Sequence, residues 1–140
     1  MILLKNKKII FCIIIIILDQ LVKFLINSNI SLEKEIFVIP NFFYLTNLLN
    51  TGGAFSIFEG NSILLGIIGI VFLLILVKYL NNKKLKPLEK MSYGILIGGI
   101  ISNLIDRIYL NGVRDYIGLK FGNYYYPVFN LADIGIVISI

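Results

Sequence analysis

The feature that most constrains this chain is its set of long apolar runs edged by lysines. The runs cover about residues 9–26, 63–80, 91–110 and 127–140. The run 63–80 is long enough to cross a bilayer as a helix, which needs roughly 20 apolar residues. Lys5, Lys7 and Lys8 precede the first run, Lys78 lies at the end of the second, and Lys83, Lys84, Lys86 and Lys90 lie between the second and third. These eight of the thirteen basic residues bracket the segments on one face, as the positive-inside rule expects. The net charge of +5 therefore reads as membrane topology, and nucleic acid is not an expected partner. A hydrophobic share of 58% and a mean hydropathy of +0.90 agree with an integral membrane protein.

The first run begins like a signal peptide but lacks a small-residue cleavage site. Asp-Gln-Leu-Val-Lys follows it, so it reads as a retained transmembrane helix. The third is interrupted by Gly98, Gly99, Ser102 and Asn103, residue types that permit close helix contact or face a wet cavity. The fourth, of about 13 residues, rises only about 20 Å, short of the roughly 30 Å hydrocarbon core. The expected fold is an all-α membrane bundle of four transmembrane helices in one domain, 1–140, with both termini inside. Residues 27–61 and 106–127 then lie outside. Within the first of these, β-prone runs at 36–39, 41–46 and 54–58, punctuated by Pro40 and Asn50-Thr-Gly-Gly, predict a small antiparallel β-cradle over about 36–60.

All four aspartates, Asp19, Asp106, Asp115 and Asp133, fall where an apolar segment meets the outer side. Ionisable groups at membrane depth are costly and persist mainly where they act or are paired. The chain has no histidine, which excludes a Ser-His-Asp triad, a Cys-His pair and a His-Glu-x-x-His zinc site. Cys12, the only cysteine, cannot form an intrachain disulfide or a cysteine-based metal site. A Ser-Lys dyad would have to use Ser56 with Lys23 or Lys34. Two carboxylates, Asp115 and Asp133, remain for water activation by a dyad that shares one proton. The plainer alternative is ion pairing alone, Asp106 with Arg107 or Lys23 and Asp115 with Arg114. Adjacent residues on a strand point to opposite faces, which weakens the second of these pairs.

Asn103, Asp106 and Arg107 share a helix face at spacing i, i+3, i+4, and Asp19 and Lys23 stand in ion-pair order at i, i+4. Asn50-Thr-Gly-Gly reads either as a turn between strands or as a backbone cradle for an extended peptide. A proton-coupled transporter or channel subunit is the alternative function, but a relay needs ionisable residues spread through membrane depth. Here they cluster at one edge.

Taken in order, the blocks resemble the lipoprotein signal peptidases (signal peptidase II). They are Asp19-Gln20-x-x-Lys23, Asn50-Thr-Gly-Gly-Ala-Phe-Ser56, Gly98-Gly-x-x-x-Asn103-x-x-Asp106-Arg107, Gly112-Val-Arg-Asp115-Tyr and Phe129-Asn-Leu-Ala-Asp133. The resemblance implies a multi-pass aspartic endopeptidase of the bacterial inner membrane, with its active site at the extracytoplasmic face. Its substrate would be a prolipoprotein whose cysteine carries diacylglycerol, cut on the N-terminal side of that cysteine. The resemblance implies Asp115 and Asp133 as the catalytic pair. Asp19, Lys23, Asn50, Gly52, Asn103, Asp106, Arg107 and Asn130 would support it and bind substrate. Membrane lipid is the other expected partner, the protein is expected to be a monomer, and no metal or cofactor is expected. Three departures stand near the pair. Arg114 replaces an apolar residue, Tyr116 stands for Phe, and Ser102 replaces a glycine.

Overall fold

The computed structural model describes residues 7–53 and 57–140. Lys5, the start of the third β-prone run and Ser56 of the Ser-Lys alternative lie outside the described residues. The element order is α1 (Lys7–Asn29), β1 (Ile36–Ile39), β2 (Phe43–Asn50), α2 (Ser62–Asn81), α3 (Pro87–Leu110), β3 (Val113–Phe121), β4 (Tyr124–Phe129) and α4 (Leu131–Ser139).

Helices α1, α2 and α3 are each long and apolar enough to cross a bilayer. The expected fourth span is corrected in extent. Pro127, Val128 and Phe129 belong to β4, and α4 has nine residues. That gives a rise of about 14 Å, under half the hydrocarbon thickness. The apolar run misled because β4 and α4 are both apolar and a single polar residue, Asn130, separates them.

Helix α3 is the hub and packs against α1, α2 and α4. Its glycines make this possible. A Cβ on Gly98 would come within 2.6 Å of the Cys12 carbonyl oxygen of α1, so only hydrogen lets the two backbones approach. The outer faces of α1 and α2 leave Ile13, Ile17, Leu21, Ile67, Val71 and Leu74 exposed, which suits a lipid surround and would be costly in water.

The sheet is a four-stranded antiparallel meander, order β1-β2-β3-β4. The expected cradle is found for its first two strands, and the described part of the third run, Ile57 and Phe58, lies in a turn. Residues 57–60 form a turn, and the other half of the sheet comes from 113–129. That hairpin was hidden because Arg114 and Asp115 break apolar alternation and because Pro127 argues against a strand. The proline is tolerated because β4 is an edge strand. There Pro127 and Val128 form a bulge, with the register stepping from Ile117↔Phe129 to Leu119↔Tyr126.

A second bulge lies in β2 between Leu45↔Ile117 and Leu48↔Asp115, so Thr46 and Asn47 together oppose Tyr116. Helix α3 ends on Asn111 in the left-handed region (φ 54°), a conformation asparagine tolerates. The chain then turns back, and β3 runs over the last turn of α3. The Arg114 amide donates to Asp106 Oδ2 at 2.9 Å.

Candidate active site

Strand alternation sorts the residues of β3. Asp115 projects to one face, toward β2 and the N-terminus of α4. Arg114 and Tyr116 project to the other, toward α1 and α3. Two polar clusters result, one on each side of the strand.

The first cluster contains the two candidate carboxylates. Asp115 is 2% exposed. Its Oδ2 accepts from Asn50 Nδ2 at 2.9 Å and its Oδ1 from Asn130 Nδ2 at 2.7 Å. Both amides are oriented by backbone. The Gly52 N–H donates to Asn50 Oδ1 at 2.9 Å, and the Asp133 N–H donates to Asn130 Oδ1 at 2.9 Å. Each asparagine must therefore present its NH₂ to Asp115.

Asn130 is also the N-cap of α4. Its own N–H donates to Asp133 Oδ2 at 3.1 Å, which closes a reciprocal capping box. The other oxygen of Asp133 accepts from Asn103 Nδ2 at 2.8 Å. Asn103 is oriented in turn by Lys23 Nζ at 3.0 Å and Asn130 Nδ2 at 3.1 Å, both donating to its Oδ1. One asparagine thus touches both carboxyl groups, and a second links Asp133 to the buried lysine.

Asp115 and Asp133 line one cavity of about 910 Å³, together with Asn50, Asn103 and Arg107. Most of the remaining wall is apolar, including Leu48, Val128, Ile134 and Val137. Arg107 donates to the Gly52 carbonyl at 3.4 Å, and its Nε is buried without a partner among the described residues. A Cβ on Gly52 would meet the Ile57 carbonyl oxygen at 3.1 Å and Glu59 N at 3.2 Å, so the turn above Arg107 is closed tightly on this residue. Asp115 has its pKa raised to about 7. Burial is the main cause and the nearby Asp133 charge the next, against a downward pull from Asn50, Asn130 and Lys23.

The second cluster is an ion network. Lys23 and Asp19 are fully buried, with Nζ to Oδ2 at 2.6 Å, and Lys23 lies 3.3 Å from Asp106 Oδ2. Of the two expected partners of Asp106, Lys23 is found and Arg107 is not. Asp106 binds Arg114 through Nη2 at 2.6 Å and Nε at 3.2 Å, a two-point guanidinium contact, while Arg107 reaches the cradle turn. The expected alternative of an Asp115–Arg114 pair is likewise not formed, because the two side chains leave opposite faces of β3. Gln20 joins this network, accepting from Arg114 Nη2 at 2.8 Å and donating to Ser102 and Asp106 at 3.0 Å.

Tyr116 links the network to α4. Its hydroxyl donates to Asp19 at 3.3 Å and accepts from the Leu131 N–H at 3.0 Å. Burial and the Asp19 charge push the Tyr116 pKa up, so the hydroxyl keeps its proton. Asp19 also receives the Ala132 N–H at 3.1 Å and the Ser102 hydroxyl at 2.6 Å.

Sequence reasoning did not assign roles to Gln20, Ser102 or Tyr116. For Gln20 a signal was present, since it follows Asp19 directly on a helix whose neighbours are almost all apolar. For Ser102 the signal was a hydroxyl inside an apolar run, and for Tyr116 its place beside Asp115.

Fold and site together define a helical membrane protein with a sheet that presses two aspartates into one apolar-walled cavity. A family model for signal peptidase (SPase) II matches residues 11–140. A lipoprotein signal peptidase of Listeria monocytogenes serotype 4a is 38% identical over 131 residues, covering 90% of this chain and 82% of that protein. A lipoprotein signal peptidase of Bacillus pumilus is 37% identical over 128 residues, covering 91% and 83%. Two solved structures of bacterial membrane enzymes, at 2.3 and 1.9 Å resolution, superpose with TM-scores of 0.84 and 0.82. They are 30% and 28% identical, and each alignment covers 94% of this chain with 81% and 86% of the other. The chain belongs to the signal peptidase II family, and it is accordingly a membrane peptidase.

Proposed function

We propose that this protein removes the signal peptide from prolipoproteins whose cysteine carries diacylglycerol, cutting on the N-terminal side of that cysteine with Asp115 and Asp133 as an aspartic dyad. The observation that carries the reading is the shared cavity. Asp115, buried, and Asp133, half-buried, both line it, and Asn130 bonds to both.

In this mechanism Asp133 is the base and Asp115 carries the shared proton, in keeping with its pKa of about 7. Asp133 takes a proton from water as the oxygen adds to the scissile carbonyl carbon, and Asp115 gives its proton to the carbonyl oxygen. The gem-diol then collapses. The C–N bond breaks, Asp133 returns its proton to the leaving amine, and Asp115 recovers one from a hydroxyl of the gem-diol. Both carboxyl groups end as they began. Asn50 and Asn130 hold Asp115, and Asn103 holds Asp133, so little reorganisation is needed during reaction. Arg107 and the Gly52 turn at the rim suit an extended backbone, and the apolar wall suits a cut made beside acyl chains that stay in lipid.

The reading includes one membrane peptidase domain over 1–140, acting as a monomer, with α4 as a short fourth membrane segment. The N-terminus is cytoplasmic and the sheet lies at the extracytoplasmic face. Its support is the lysine-rich opposite end and the exposed aromatics Tyr109, Phe121, Tyr124 and Tyr125 at the sheet end, where interfacial rings belong. The test is processing of a diacylated prolipoprotein by Asp115→Asn and Asp133→Asn. Each is expected to abolish signal-peptide release while remaining folded and membrane-inserted. Normal release by either variant removes that residue from the dyad.

A further inference from the structure

At the end of the molecule away from the sheet, a cavity of about 450 Å³ opens where three helix ends meet. It is lined by Lys8 and Ile9 of α1, Leu80 and Asn81 of α2, Lys83, Lys84 and Leu85 of the following turn, and Lys90 of α3. Half of these eight residues are lysines and none is acidic. All ion pairs among the described residues lie at the sheet end, so none of the four ammonium groups has a carboxylate in direct contact, and Glu89 acts on Lys83 only at longer range. Glu89 is the only acidic residue of this end, and it caps α3 by accepting the Lys86 N–H at 2.6 Å.

We propose that this cavity binds the phosphate headgroup of an anionic phospholipid. Charge alone would not require a site, because the positive-inside rule places lysines here in any case. What the rule does not account for is their convergence on one concavity with an apolar floor. Leu80 is 2% exposed at its base, and Ile9 and Leu85 complete the apolar side. Such a pocket matches a molecule with a phosphodiester above and a glycerol ester below. Basic pockets between membrane helices are a recurring form of headgroup recognition. Lys83 is held in place for this, with Nζ hydrogen-bonded to the Tyr79 hydroxyl and 4.3 Å from its ring centroid.

The experiment is native mass spectrometry of the full-length protein in detergent, titrated with short-chain phosphatidylglycerol, short-chain phosphatidylcholine and glycerol phosphate. Saturable binding of one phosphatidylglycerol, at least about tenfold tighter than phosphatidylcholine, is expected. Lys84→Gln with Lys90→Gln should weaken it about tenfold or more. The control pair, Lys7→Gln with Lys78→Gln, removes equal charge from the same end outside the cavity and should change it by less than about threefold. Equal weakening by both pairs means diffuse attraction and overturns the site. Glycerol phosphate binding as tightly as phosphatidylglycerol overturns the lipid assignment. Absence of saturable binding overturns both. None of these residues touches the aspartate cluster, so the outcome is independent of the peptidase reading.

Discussion

Replacing Asn130 with serine separates the two jobs this residue performs. Serine is as good an N-cap as asparagine, so the bond from the Asp133 N–H to the cap is retained and α4 keeps its start. A single hydroxyl committed to the cap cannot also supply the NH₂ that reaches Asp115 Oδ1 at 2.7 Å and Asn103 Oδ1 at 3.1 Å. The perturbation is therefore loss of one of the two oriented donors on Asp115. A hydrogen bond to a charged group contributes roughly 1.5–3 kcal/mol. Each pKa unit corresponds to about 1.4 kcal/mol, so the ionised form of Asp115 loses the equivalent of about one to two units.

Asp115 starts from about 7, and Asn130 is one of the groups that lower it, so the variant's Asp115 titrates higher. If Asp115 carries the shared proton, the alkaline limb of the pH–rate profile for prolipoprotein cleavage reports its loss. In Asn130→Ser that limb should move up by about one to two pH units while the maximal rate falls. The assay is initial-rate cleavage of a diacylated prolipoprotein in detergent across pH, with thermal unfolding followed in parallel. An unmoved alkaline limb in a folded, active variant would refute the role given to Asp115, whatever happens to the rate.

Two further perturbations follow from the same contacts. The raised pKa of Asp115 favours folding when the group is protonated, so its contribution is intact below the ordinary carboxylate range, near 3.8, and lost as pH rises through about 7. The loss is of order 4 kcal/mol. The melting temperature should fall between those pH values, and Asp115→Asn should flatten the fall; an equally steep fall in the variant would refute this origin. Arg114→Leu strips Asp106 of its two-point guanidinium partner, leaving Lys23 at 3.3 Å, Gln20 and the backbone amide of residue 114. Up to about 3 kcal/mol of stability should be lost, read from thermal unfolding. Adding Asp106→Asn to the Arg114→Leu variant should recover part of it, because the uncompensated charge is then gone.

Much of the membrane architecture is legible in the sequence because its signals are local. Apolar length and flanking lysines specify α1, α2 and α3 without reference to anything distant. The hairpin of β3 and β4 is not legible in the same way. Its apolar alternation is broken at Arg114 and Asp115, two residues whose partners lie on other elements. The end of the fourth apolar run is obscured for the opposite reason, since Pro127 to Phe129 are as apolar as a helix but are held in the sheet by β3. Among the site residues, spacing alone brought Asp19 and Lys23 together. Adjacency in sequence did not bring Asp106 and Arg107 together. Neighbours on a helix diverge by about 100°, and here one turns to Arg114 and Lys23 while the other turns to the Gly52 carbonyl.

The alternation of β3 explains how four aspartates at one membrane face come to differ. Arg114 and Tyr116 point to the face where Asp19 and Asp106 meet Lys23, so that cluster holds two acidic and two basic side chains in direct contact. Its net charge is zero, and each carboxylate has a cation at 2.6 Å. Asp115, one residue away on the same strand, points to the other face and contacts only amides. Amide donors orient a carboxylate without neutralising it, so burial and the Asp133 charge govern its proton affinity. Arginine at position 114 therefore strengthens the rigid side of the strand and adds no cation to the titrating side. An arginine in place of Val113, which lines the cavity beside Asp115, would instead hold the pair ionised and remove the proton that the proposed dyad chemistry requires.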